Sequence, residues 1–124
     1  MRRRMFLAGS AAAMLASGGE VFAQQAQDAK PELNGIATLR IKPGKEEVEA
    51  ILRDIQAATL ANDKGCLRYE WYRASTELTY ILLERWADQA AAQEHLNAPH
   101  VVTAVEKLLP LALAQPRAVR LTKL

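Results

Sequence analysis

The chain predicts an α+β fold of the ferredoxin-like kind, a split β-α-β antiparallel sheet with helices packed on one side. Three observations predict it. Apolar periodicities follow one another in the order strand, helix, strand, strand, helix, strand. The second and third strands are joined by the short polar turn Ala74-Ser75-Thr76-Glu77, which makes them an antiparallel hairpin. The third strand is apolar on both faces, so both faces must be covered.

The first 23 residues read as a secretory signal outside the fold. Arg2, Arg3 and Arg4 form a positive region, and the apolar run Met5 to Ala16 is too short to span a bilayer. Small residues around Val21-Phe22-Ala23 place a cleavage site after Ala23. Arg3-Arg4-Met5-Phe6-Leu7 also fits the twin-arginine export pattern, so the expected destination is the periplasm. Residues 24–33 are polar and read as a flexible leader; residues 34–124 form the single domain.

Within that domain, Asn34 to Lys42 alternates. Ala37, Leu39 and Ile41 point one way, and Thr38, Arg40 and Lys42 the other. Pro43-Gly44 closes this strand with a turn. Lys45 to Ala61 carries Val48, Ile51, Leu52, Ile55 and Ala58 on one helical stripe, with Glu46 and Glu47 in the first turn where acids suit the helix dipole. Asn62-Asp63-Lys64-Gly65 ends the helix. In the strand Cys66 to Arg73, Leu67, Tyr69 and Trp71 share a face. In the strand Leu78 to Trp86, Leu78, Tyr80 and Leu82 face one way and Ile81 and Leu83 the other. Asp88 caps a helix that runs to Asn97, and Pro99 breaks it. Val101 to Leu109 is a further helical piece, stopped by Pro110, and Arg117 to Leu121 is the last strand. One helical layer leaves the other sheet face bare, yet the third strand is apolar on that face too. A second copy packed sheet to sheet covers it, so the chain is expected to be a homodimer.

Composition narrows the partners. The signal holds three arginines and one glutamate, which account for the whole formal charge of +2. The mature chain is neutral, with no basic patch to favour nucleic acid or an anionic membrane. Cys66 is the only cysteine, which excludes an internal disulfide. It begins a strand and reads as a small buried residue.

The segment Glu84-Arg85-Trp86 followed by His95-Leu96-Asn97-Ala98-Pro99-His100 carries the chemistry. It holds both histidines of the chain, and imidazole titrates nearest neutrality. The plain reading is a core tryptophan followed by a capped turn at Pro99-His100. The two histidines lie five apart with Pro99 between them, so they do not share a helical face as ligands at i, i+4 do, and no metal is expected. There is no Gly-rich phosphate loop and no nucleophile elbow.

Ile41-Lys42-Pro43-Gly44-Lys45, Gly65-Cys66-Leu67-Arg68-Tyr69-Glu70, Glu84-Arg85-Trp86-Ala87-Asp88 and His95-Leu96-Asn97-Ala98-Pro99-His100 stand in this order. Together they resemble the antibiotic biosynthesis monooxygenase (ABM) domain family from Ile36 to Leu121. The resemblance implies a dimeric α+β barrel. It also implies a monooxygenase, quinol-monooxygenase-like, that oxidises a quinol-like or aromatic small molecule with dioxygen and no cofactor. Relatives in fold that cleave haem, isomerise small sugar-derived signals or lack known activity leave two alternatives: a non-catalytic dimeric binding protein for a small ligand, or an isomerase. Haem cleavage is disfavoured because Ala37 stands where haem-degrading relatives carry an asparagine.

Oxidation of a quinol without flavin or metal requires an apolar slot, a proton acceptor and a group that stabilises the anion. Trp86, Tyr69, Trp71 and Tyr80 supply flat walls for the substrate. His95 is the candidate base, and His100 the turn that positions it. Arg40, Arg68 and Arg85 are candidates for the anion, with no choice among them. Glu84 reads as a structural partner of an arginine.

Overall fold

The computed structural model describes residues 31–45 and 47–124. The expected signal, most of the leader and Glu46 lie outside the described residues. Among those described, no helix is long and apolar enough to cross a membrane.

The sheet has four strands: β1 (Leu33–Arg40), β2 (Cys66–Arg73), β3 (Thr79–Trp86) and β4 (Arg117–Leu121). Their order is β2-β3-β1-β4, and every neighbouring pair is antiparallel. Three helices complete the unit: α1 (Val48–Asn62), α2 (Gln89–Asn97) and α3 (Pro99–Leu108), the last running into a short 3-10 turn, Leu109–Leu111. This is the predicted split β-α-β, ferredoxin-like α+β fold.

Side-chain alternation explains the packing. Ala37 and Leu39 on β1, with Ile41 beyond it, are buried, while Arg40 and Lys42 are exposed. Leu39, Ile41 and Val48 are essentially solvent-free, and each such side chain stabilises the fold by about 1.5–3 kcal/mol relative to exposure. The interior divides into two clusters. One joins Ala37, Ile55, Tyr69, Leu82, Trp86, Val101 and Ala104. The other joins Leu39, Ile41, Val48, Leu52, Tyr80, Leu108 and Ala112. Helix α1 serves both, through Ile55 on one side and Val48 and Leu52 on the other. The opposite sheet face carries Ile36, Ile81, Leu83, Val119 and Leu121, with Val119 and Leu121 exposed.

Several boundaries differ from expectation. Leu67 does not share the inner face with Tyr69 and Trp71. The register passes from Cys66 opposite Trp86 to Arg68 opposite Arg85, so Leu67 is the extra residue of a β-bulge and is exposed. Leu78 lies before β3, not within it. It holds a left-handed backbone (φ 56°), and its carbonyl accepts the Ile41 N–H at 2.9 Å. Helix α1 starts at Val48 rather than Lys45 and also buries Thr59. Pro99 ends α2 as expected but also begins α3, two residues before Val101, in the first-turn position where its missing N–H costs nothing. Ala98 alone joins the two helices.

Candidate functional site

Trp86 ends β3 facing the helices and is 2% exposed. Its ring packs on His95 with centroids 4.6 Å apart, and edge-on to Tyr69 at 6.3 Å. Tyr69 and His95 are 5.1 Å apart, so the three rings form one packed group. Burial pushes the Tyr69 phenol well above its usual range. Two residues before Trp86, and therefore on the same sheet face, Glu84 accepts the indole Nε1–H on Oε1 at 2.8 Å. Glu84 is thus a partner of the tryptophan. The arginine partner expected for Glu84 is not found: its hydrogen bond is to Trp86, and the neighbouring Arg85 binds Glu32 at 2.8 and 3.0 Å.

Trp86 and Glu84 open on a cavity of about 350 Å³ between the sheet and α2. Leu33, Gly35, Ala92, Leu96 and Ala118 give it apolar walls, and Arg120 brings a guanidinium to its lining. Gly35 lies opposite Glu84 in register. A Cβ there would stand 3.4 Å from the Glu84 Cγ, an ordinary contact.

Behind Trp86 lies a polar cluster. Asp63 caps the C-terminus of α1. Its Oδ2 is 2.6 Å from His95 Nδ1 and 3.0 Å from His100 Nε2. The two imidazoles come from the last turn of α2 and the first turn of α3, with ring centroids 6.0 Å apart. The spacing argument against their convergence is therefore corrected. They do not share a helical face, but the turn at Ala98 folds the two helices so that both rings meet Asp63. His95 is buried among Asp63, Tyr69 and Trp86 and does not line the cavity. His100 is more than a capping turn, because its ring bonds a carboxylate.

Trp71 and Tyr80 lie elsewhere. They line a second cleft of about 340 Å³ with Glu49, Gln56 and Arg73. Glu49 accepts the Tyr80 hydroxyl at 2.7 Å and two bonds from Arg73 at 2.6 Å. Those bonds, Arg73 foremost, hold its carboxyl down to about 2. The single slot walled by four aromatics is not formed. Trp86 lines one cavity, Tyr69 backs it, and Trp71 and Tyr80 belong to the other. The three proposed arginines also miss the cavity. Arg68 pairs with Glu70 at 2.7 Å, Arg85 with Glu32, and Arg40 is exposed. The cavity's cation is Arg120, on β4, whose register opposite Gly35 puts it on the helix-facing side.

The chain is similar in fold to several solved structures. A candidate antibiotic biosynthesis monooxygenase from Caulobacter crescentus is similar at 27% identity and a TM-score of 0.72, over 82% of this chain and 98% of its own. A protein of Pseudomonas aeruginosa is similar at 26% identity and 0.70, over 77% and 97%. A protein of Mycobacterium tuberculosis shares the fold at 22% identity and 0.70, over 76% and 96%. Among curated proteins none matches the chain. The family model for antibiotic biosynthesis monooxygenase matches residues 35–107, more than half of the sequence and a stretch that holds both Glu84-Trp86 and the Asp63-His95-His100 cluster. The chain belongs to the antibiotic biosynthesis monooxygenase family.

Proposed function

We propose that the protein is a monooxygenase that oxidises a quinol-like aromatic molecule with dioxygen in the cavity beside Trp86. The observation that supports this is the pairing of an apolar cavity with one carboxylate, Glu84, and one guanidinium, Arg120, in its lining. Flat apolar walls suit an aromatic ring. Glu84 takes the phenolic proton, and Arg120 stabilises the phenolate. The electron-rich phenolate then reacts with dioxygen at a ring carbon to give a hydroperoxide. Loss of water leaves a hydroxylated quinone, with one oxygen atom in the product and the other in water. The substrate supplies all the electrons. The base role expected of His95 passes to Glu84, because His95 lies behind Trp86 and is held by Asp63.

Oxygen uptake with a reduced naphthoquinol panel tests the reading. Uptake above the spontaneous rate, lost in Glu84→Gln, is expected; no uptake over the panel would sink it. A second reading has its own support, since Glu84 already accepts the Trp86 indole. In that reading the cavity only binds a small apolar ligand, and quinols quench Trp86 fluorescence without turnover.

We also propose a homodimer, exported to the periplasm. The apolar sheet face of Ile36, Ile81, Leu83, Val119 and Leu121 supports the dimer, each copy covering the other. A monomer in sedimentation at micromolar concentration contradicts it. The arginines of residues 1–23 support export, and unchanged export in Arg3→Lys with Arg4→Lys removes the twin-arginine route.

A further inference from the structure

We propose that Asp63, His95 and His100 form a three-ligand site for a divalent transition-metal ion of the zinc class. This goes beyond the oxidation proposed above, because the cluster does not line the Trp86 cavity.

The donor set fits such an ion. It consists of two imidazole nitrogens and one carboxylate oxygen, all within 4.8 Å of one another. Borderline cations such as zinc take this mixture at about 2.0–2.2 Å per bond. Ligand atoms around one ion at those lengths stand about 3.0–3.5 Å apart. His100 Nε2 and Asp63 Oδ2 are 3.0 Å apart, so that pair needs little adjustment. His95 Nδ1 and Asp63 Oδ2, at 2.6 Å, must open by a few tenths of an ångström, and the two ring nitrogens, within 4.8 Å of each other, must draw together by about an ångström. The side chains are largely buried, at 12%, 5% and 19% exposure for Asp63, His95 and His100. The Trp86 and Tyr69 rings on His95 hold its plane and exclude water from one side.

Each ligand belongs to a different helix end: Asp63 to the close of α1, His95 to the close of α2, His100 to the opening of α3. An ion there ties three helix ends together. Without it, both rings bond the same carboxylate oxygen, which keeps the donors close to their ligating positions. Binding moves the protons held between the ring nitrogens and Asp63 to the other ring nitrogen or to water, replaces those bonds with metal bonds and leaves a fourth position for water.

The test uses the purified protein stripped with chelator and titrated with Zn²⁺ by calorimetry and with Co²⁺ by absorption. One ion per chain is expected, with Co²⁺ d–d bands and no thiolate charge-transfer band. His100→Gln and Asp63→Asn should each weaken binding at least about tenfold. Cys66→Ser, which removes the chain's only thiol, should leave binding unchanged. Imidazole nitrogen resonances of His95 and His100 in the unaltered protein should shift on Zn²⁺ addition, a readout that survives if a variant fails to fold. No binding to the unaltered protein, or binding with unmoved histidine resonances, overturns the proposal and leaves the cluster a hydrogen-bonded tie. Neither measurement involves quinol turnover, so the metal site and the oxygenase reading stand or fall separately.

Discussion

Replacing Gly65 with alanine should destabilise the domain by pushing α2 away from the sheet. A Cβ built on Gly65 stands 2.2 Å from the Ala91 Cβ. Carbon atoms in good contact are about 3.5–4.0 Å apart, so the two backbones must separate by roughly 1.5 Å. Neither side yields easily. The Gly65 carbonyl accepts the Ala87 N–H at 2.8 Å, and the Ala91 N–H donates to the Asp88 cap at 2.8 Å. Overpacking of this kind costs about 1–3 kcal/mol. In a domain of this size that lowers Tm by roughly 4–24 °C. Denaturant unfolding of Gly65→Ala, Ala91→Gly and the double variant measures it. Ala91→Gly removes the clashing methyl at a helix-propensity cost of up to about 1 kcal/mol. The double variant should therefore be more stable than the sum of the singles by about 1–3 kcal/mol. Additive effects, or a Gly65→Ala loss below about 0.5 kcal/mol, would refute the steric argument.

Two further predictions concern charge. The Glu49 carboxyl is held at about 2 by Arg73 and Tyr80, below its ordinary 4.5, so its ionised form stabilises the fold. That contribution is full above about 4.5 and is lost as pH falls toward about 2. Glu49→Gln should thus be less stable than the parent at neutral pH, and the two melting curves should converge in acid; a constant gap across this range would contradict the assignment. Cys66, expected to be buried, is only partly so; that partial burial still pushes its thiol up, so at pH 8 it should react with a disulfide reagent more slowly than free cysteine, and at the ordinary rate once unfolded. Equal rates in the folded and unfolded protein would count against its burial.

Patterning made most of the fold legible. The alternation of Ala37, Leu39 and Ile41 fixed the inner face of β1, and Asp88 marked the start of α2. Leu67 misled because it is apolar and fits a regular alternation; a bulge shows only when the partner strand is in place. The site was less legible. Trp86 was identifiable, and it does line the cavity. Asp63 was not, since it meets His95 and His100 across 32 and 37 residues through helix packing alone. Arg120 sits on a strand whose residues are all exposed, so its sequence carried no sign of a cavity. The four aromatics looked like one slot because strand neighbours share a face, but the sheet is long enough to hold two separate clefts along it.

Helix α2 has one buried residue among its nine, and that residue is His95. Helix α1 buries four and α3 three. Besides Ala91 and Ala92, which pack partly buried against the core, α2 is held by the bond of His95 to Asp63. Ala92 and Leu96 on the same helix wall the cavity. The wall beside a ligand is thus also the helix with the fewest fully buried side chains. The cavity is open to solvent beside the exposed Leu96 and Arg120, so a small molecule reaches Trp86 without any helix having to unfold.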